Sequence, residues 1–385
     1  MSNDIEQIEF NYELFKEIAK AFIENANVTD FHIAVGAAPF IRQAKTLMEL
    51  RIPGRDDNGN ETLIPIRPMK AADTREFVED LIRDAQSENP EEVTDALLEK
   101  MNHEEIDTTL SLPGISRFRV HICRQRATFT CALRVVPATM PELSGFPKEL
   151  KGFTNFHNGL VIVAGKAGSG KSTTLAALVN DINQRQQKKI ITLEDPIEFL
   201  HKHNKSMVIQ REIGTDTKSF KTGLISALRE DPDIIVLGEL RDLDSFEIAL
   251  NAAESGCLVL TTMHSADSTE TLERMISMFP DDKQNQVRSQ LATVLRGIVC
   301  EQLIPCIDPA KYGGKPLVPA FEVCSASLAI SQAIRTGKFK DIQNLLQTKP
   351  GNRTMRDSLQ KLRDAGLISE SEWFNRDNLI GQRMA

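Results

Sequence analysis

Residues 159–174 read GLVIVAGKAGSGKSTT. The apolar run Leu160 to Ala164 has the length and composition of a buried strand, and Lys171 and Ser172 open an alanine- and leucine-rich stretch with helical character. A glycine-rich loop joins the two. This is the G-x-x-x-x-G-K-[ST] pattern, in which loop amides and a helix N-terminus converge on phosphate oxygens. Gly165, Gly168 and Gly170 let backbone approach the phosphates, Lys171 reaches the β and γ oxygens, and Ser172 supplies a hydroxyl for Mg2+. The expected nucleotide-binding segment is Gly165, Ala167, Gly168, Ser169, Gly170, Lys171, Ser172 and Thr173. Its ligand is a nucleoside triphosphate, ATP, with Mg2+.

The chain of 385 residues exceeds the usual size of a single hydrophobic core, so two domains are expected. Its formal net charge is −8 with no long basic run, which opposes a nucleic-acid partner, because such proteins need a cationic track for the phosphate backbone. No apolar stretch approaches the roughly 18 residues of a spanning helix. The opening MSNDIEQIEF is too acidic and polar for a signal peptide, so a cytoplasmic location is expected unless a partner holds the protein at a membrane. Six cysteines are scattered without a C-x-x-C pair, which favours buried reduced thiols over a zinc site.

In the N-terminal third, Phe10, Leu14, Ile18 and Phe22 recur every four residues, with Phe15 beside them, as the stripe of an amphipathic helix. Residues 30–52 mix β-formers with Gly36 and Pro39, and DDNGN at 56–60 reads as a turn between two strands. Asp73 is placed as the cap of a helix carrying Phe77, Val78, Leu81 and Ile82, and Val93, Leu97, Leu98 and Met101 mark another. Residues 108–136 alternate as sheet strands, with Arg117, Arg119, Arg124, Arg126 and Arg134 among them. A solvated sheet face explains any one of these arginines. Five within eighteen residues point instead to an edge that offers guanidinium groups to an anion, the nucleotide phosphate. Pro137, Pro141, Gly145 and Pro147 place a linker at 138–152, between an α+β domain at 1–137 and an α/β domain at 153–385 with a helical tail from about 325.

From Gly159 on, GLVIVAG, KKIITLED, DIIVLGE and CLVLTTMH are short apolar runs separated by helical stretches, the signature of a parallel sheet whose ligands gather beyond its C-terminal strand ends. Polar motifs close three of these runs. LEDPIEF carries Glu194 and Asp195. DPDIIVLGELRD carries Glu239 and Arg241, and a carboxylate there can orient Mg2+ through water or polarise the attacking water. TTMHSAD brings Thr262 and His264, and the histidine can meet the γ-phosphate. Ser265 to Phe279 and Lys283 to Val299 both fit helices, PLVPAFEV a strand, and the tail ends in helices around Leu345–Leu346 and Leu359–Leu362. Gly366 stops the last, and Ser369 with Glu372 caps one more.

Together the four motifs resemble the Walker A, Asp box, Walker B and His box of the secretion ATPases of type IV pili and type II secretion, most of all the PilT/PilU retraction branch. GKAGSGKSTTLAAL, TLEDPIEF, ALREDPDIIVLGELRD and TTMHSADSTETLER stand in that family's order and spacing. In the N-terminal domain, TDFHIAVG and LPGISRFRVH also look like its strands. The resemblance implies a PAS-like N-terminal domain joined to a RecA-like ATPase domain, assembled as a homohexamer with ATP held between the two domains. It implies Glu239 as the carboxylate that polarises water, with Glu194 as rival, His264 in the His box, and Arg119 and Arg134 on the γ-phosphate. A hexameric cytoplasmic motor at the inner membrane follows. It would drive pilus retraction and twitching through a platform protein, as a PilT-like motor or as a PilU-like accessory to a second motor ATPase. Three positions depart from the family pattern: Lys166, Cys257, and AISQAIRTGK at Ala329 to Lys338, where the retraction signature is degenerate. An extension, type II or conjugative-pilus secretion ATPase is the nearest alternative. A nucleic-acid translocase and a nucleotide-dependent scaffold are the more distant ones.

Overall fold

The computed structural model describes residues 8–26, 28–43, 46–55, 60–85, 91–136, 139–240, 242–348 and 351–376. Most of the expected turn at 56–60, the side chain of Val93, Pro137 and Arg241 lie outside the described residues. The chain divides into two compact units, Met1–Ala138 and Thr139–Ala385.

The first unit contains α1 (Tyr12–Ala26), β1 (Val28–Ala34), β2 (Phe40–Gln43), β3 (Thr46–Glu49), β4 (Arg51–Arg55), β5 (Glu61–Pro65), α2 (Ala71–Ala85), α3 (Glu91–Lys100), β6 (Ile106–Leu112), β7 (Ser116–Gln125) and β8 (Thr128–Val136). Six strands form an antiparallel sheet in the order β3-β2-β1-β8-β7-β6, and β4 pairs with β5. On β7, Phe118, Val120 and Ile122 are buried, while Arg119 on the opposite face is exposed. Their core is aromatic: the Phe15 ring lies 5.2 Å from Phe31, 5.7 Å from Phe77 and 5.5 Å from Phe118.

Two readings of this region are corrected. The buried face of α1 is Tyr12, Phe15 and Ala19; Leu14, Ile18 and Phe22 flank it, and Phe10, although buried, precedes the helix. The aromatic cluster, larger than the four-residue spacing alone suggests, sets the helix's rotation. Asp73 stands at the third position of α2, where its carboxylate accepts from the Lys70 amide (2.8 Å) and Arg67 (2.7 Å). It holds the helix entrance from inside the first turn.

The second unit begins on the stretch expected as a linker. That stretch carries a 3-10 turn at Leu143–Gly145 and a helical turn, α4 (Leu150–Phe153), and Leu150 and Phe153 are buried against Val161 and Val163. Beyond it come β9 (Gly159–Ala164), α5 (Lys171–Arg185), β10 (Lys189–Glu194), β11 (Met207–Glu212), α6 (Phe220–Ala227), β12 (Ile234–Leu237), α7 (Leu243–Glu254), β13 (Leu258–Met263), α8 (Ser268–Ser277), α9 (Asp281–Val294), β14 (Leu295–Pro305), β15 (Leu317–Ser325), α10 (Leu328–Arg335), α11 (Asp341–Thr348) and α12 (Met355–Asp364). The sheet runs β11-β10-β12-β13-β9-β14-β15, parallel except for the last pair. Every residue of β9, β12 and β13 is buried, which explains the unbroken apolar runs of β9 and β12 and leaves Thr261 and Thr262 as the polar residues of β13.

The helix expected through Val299 stops at Val294, and Leu295 begins β14. Backbone bonding beside β9 outweighs the helical spacing there, and Gly297 lets the Phe153 ring close over the strand: an added Cβ would stand 2.2 Å from that ring. The tail helices fall where expected. Gly366, at φ 67°, ends α12, and the Glu372 amide donates to Ser369 Oγ at 3.1 Å.

Candidate nucleotide site

Strands β10, β12, β13 and β9 are consecutive neighbours, so Glu194, Glu239, His264 and the glycine loop sit at four adjacent C-terminal strand ends of one sheet. This is the crevice position at which parallel α/β sheets take their ligands.

The loop is shaped by close approach. At Gly165 an added Cβ would lie 2.3 Å from Ser169 Oγ and 2.7 Å from the Glu301 carbonyl, so no larger residue fits. Gly170 caps α5 at φ 106°, in the left-handed region. The Thr174 amide already bonds the Gly170 carbonyl at 3.0 Å. By helix geometry the amides of Lys171, Ser172 and Thr173 have no intrahelical acceptor, and the positive end of α5 adds to their attraction for an anion. The Lys171 ammonium bonds the Gly165 and Lys166 carbonyls, both at 3.0 Å. Burial lowers its pKa, while Glu301, Glu239 and Glu198 work in the opposite direction.

At the neighbouring ends the two carboxylates differ. Glu194 Oε1 accepts from the Thr192 hydroxyl (2.7 Å) and the Gln210 amide (3.0 Å), and burial raises the pKa of the group. Gln210 also donates to the Phe199 carbonyl at 2.8 Å, so Glu194 is fixed in a side-chain network. Glu239 Oε1 lies 3.1 Å from His264 Nε2, and the histidine side chain is 41% exposed against 18% for the glutamate. The two strand ends are laced together: the Leu240 amide donates to the Thr262 carbonyl at 3.2 Å and the Thr262 hydroxyl to the Gly238 carbonyl at 2.5 Å. Thr262→Val, which keeps the shape and removes that hydroxyl, is expected to lower the stability of this unit by about 1–2 kcal/mol in urea unfolding.

The donor set that Mg2+ would meet here is small. The residues supply the hydroxyl of half-buried Ser172 and the nearby Glu239 carboxylate, and no cluster of three or more His, Cys, Asp or Glu side chains suited to a metal occurs among the described residues. A sparse oxygen set fits an ion that takes most of its ligands from phosphates and water.

Residues 135–362 match the family model described as type II/IV secretion system protein. The chain is 35% identical to the type IV pilus retraction ATPase PilT of Pseudomonas aeruginosa, covering 91% of this chain and 94% of that one. The chain belongs to the type II/IV secretion system protein family. It is an ATP hydrolase of that family. It is also 32% identical to the type IV pilus ATPase PilU of the same organism, over 92% of this chain and 86% of PilU. Among solved structures, the pilus retraction motor PilT with bound ADP superposes with a TM-score of 0.77 at 36% identity, covering 94% of this chain and 96% of that one. The secretion-family fold, a RecA-like motor unit with a smaller α+β unit and a helical tail, is thereby established, and with it a nucleotide-binding site.

The structure also sorts the five arginines of this secretion-family chain. Arg117 donates to Thr109 at 3.0 Å, Arg124 bonds the Asn102 carbonyl, and Arg126 occupies the hairpin turn with a left-handed φ of 50°. Arg119 and Arg134 stand directly opposite each other on β7 and β8, both exposed. They belong to the first unit, whereas the loop, Glu194, Glu239 and His264 belong to the second. Reading the sequence missed Gln210, on a strand it did not identify, and Glu301, whose only signal is a single acid inside the apolar run IVCEQLI.

Proposed function

We propose that this chain is a pilus retraction motor, a cytoplasmic homohexamer at the inner membrane that converts ATP hydrolysis into movement of a platform protein and thereby of the pilus. The observation that carries the reading is the similarity to PilT, which spans both units. In the proposed mechanism the loop amides and Lys171 hold the phosphates, and Ser172 holds Mg2+ with Glu239 acting on it through water. When bound, Mg2+ would supply positive charge to offset the charge that develops on the transferred phosphate. Glu239 orients the attacking water and accepts its proton. His264 fixes the direction of that carboxylate, whereas Glu194, already bonded twice, acts as a support. Arg119 and Arg134 engage the γ-phosphate from a first unit, so that closure around ATP is the mechanical stroke.

Deleting the gene tests this function. The expected cells accumulate surface pili and lose twitching, and the unsubstituted gene restores both while Glu239→Gln does not. Unchanged pili and motility would remove the retraction reading. Loss of all surface pili would instead identify an extension motor.

A further inference from the structure

We propose that Glu301 is a positioning residue of the nucleotide site: its carboxyl braces the phosphate loop through Thr174 and takes up a proton when nucleotide phosphates fill the loop. This rests on the reading that the loop binds the phosphates.

β14 runs parallel to β9 with Cys300 opposite Ala164, which brings Glu301 beside Gly165 where the strand becomes the loop. The residue is only 2% exposed. One carboxyl oxygen, Oε2, accepts from the Thr174 hydroxyl in the first turn of α5. The other, Oε1, has no hydrogen-bond partner among the described residues and lies 3.2 Å from the point where a Cβ on Gly170 would stand. Glu301 thus touches the loop at both of its ends. A half-bonded carboxylate in such a place is costly to ionise, and burial pushes its pKa up to about 7 against the opposing pull of Thr174 and Lys171.

The other charges around it do not relieve that cost. Lys166 stands on the exposed loop tip. A cavity of about 810 Å3, lined by the loop from Gly165 to Ser169 and by Glu301 itself, also takes in Asp267, Glu270 and Glu273 of the α8 region and Glu322 of β15. Asp341 of α11 joins them, and the cations on this lining are Lys166, Lys340 and Arg376. Glu322 is itself buried, raised in pKa, and bonded to the Ser268 amide and hydroxyl. Arg376 is engaged by Gln302 at 2.9 Å. The cation that favours the ionised form of Glu301 is therefore Lys171. A phosphate chain entering the loop draws the field of Lys171 to itself and adds negative charge. Both changes favour protonated Glu301, and the proton comes from solvent. Because the bound state holds more protons, nucleotide affinity falls as pH rises through about 7, by at most tenfold per pH unit for one proton.

Calorimetric titration of the full-length protein with MgADP, at about pH 7 in two buffers of different ionisation enthalpy, reads the proton uptake directly. The wild-type protein is expected to take up on the order of half a proton per nucleotide, and Glu301→Gln close to none while still binding MgADP. Thr174→Val, which removes the hydroxyl that favours the charged form, is expected to move the uptake window to higher pH. Binding without uptake in the wild type, or undiminished uptake in Glu301→Gln, overturns the proposal and leaves the nucleotide reading intact. If Glu301→Gln does not fold, Thr174→Val decides, and an unmoved window is then the refuting result. Failure of MgADP to bind the wild-type protein at all would refute the nucleotide reading, and this proposal with it.

Discussion

Glu239→Gln is expected to reduce the rate of ATP hydrolysis by about 10²- to 10⁴-fold while leaving MgADP affinity within a few-fold of wild type. The glutamine keeps the shape of the side chain and can still bond His264 Nε2, which now lies 3.1 Å from Oε1. What disappears is the charge that accepts a proton from water. The matched control is Glu194→Gln. That carboxylate is fixed by Thr192 and Gln210, so the expected result there is a smaller loss of rate with some loss of stability. Steady-state phosphate release with MgADP titration separates the two. A normal rate in Glu239→Gln and a collapsed rate in Glu194→Gln would transfer the water-polarising role to Glu194.

The difference between these carboxylates marks how far the sequence could be read. Glu194, Glu239 and His264 were legible because each closes an apolar run, and a strand end in a parallel sheet has a defined place beside its neighbours. Their partners were not legible. Gln210 lies on β11, whose half-buried edge position leaves no strong alternation, and the bond from Thr262 to Gly238 depends on the register of β12 against β13. Glu301 shows the same limit more sharply. An acid in an apolar run reads as a solvent-facing position, and only the packing of β14 beside β9 turns it inward under the loop. The end of α9 was misplaced for a related reason, since local spacing carries no information about the bonding edge that Leu295 to Pro305 meets in β9. Arg119 and Arg134 were singled out by the family resemblance, and the sheet register adds that they alone among the five arginines form a cross-strand pair.

Arg119→Ala and Arg134→Ala are each expected to lower the hydrolysis rate by about 10²-fold or more, because guanidinium groups on a transferring phosphoryl group act mainly on the transition state. For Arg134 a loss of stability must be separated from this effect. Its Nε lies 2.9 Å from Asp30 Oδ1, and Asp30 is 6% exposed, so truncation strips a buried carboxylate of its nearest cation. Arg42, at 4.0 Å, and the Thr29 hydroxyl, at 2.8 Å, remain to support it. Asp30→Asn therefore serves as the control: it removes the ion pair and keeps the guanidinium, so it should reproduce the stability change without the full loss of rate. The pairing also suits Arg134 to its proposed role, since a bond at Nε fixes the plane of the guanidinium while its two terminal nitrogens are left for a bidentate contact. Arg134→Lys, which keeps charge and loses that fork, should stay close to the alanine variant in rate. Mixing inactive Glu239→Gln subunits with inactive Arg134→Ala subunits then asks which copy supplies the arginine. If the arginine comes from a neighbouring subunit, some sites in the mixed ring are intact and activity rises above either variant alone. If it acts within its own subunit, every site carries a defect and the mixture stays inactive.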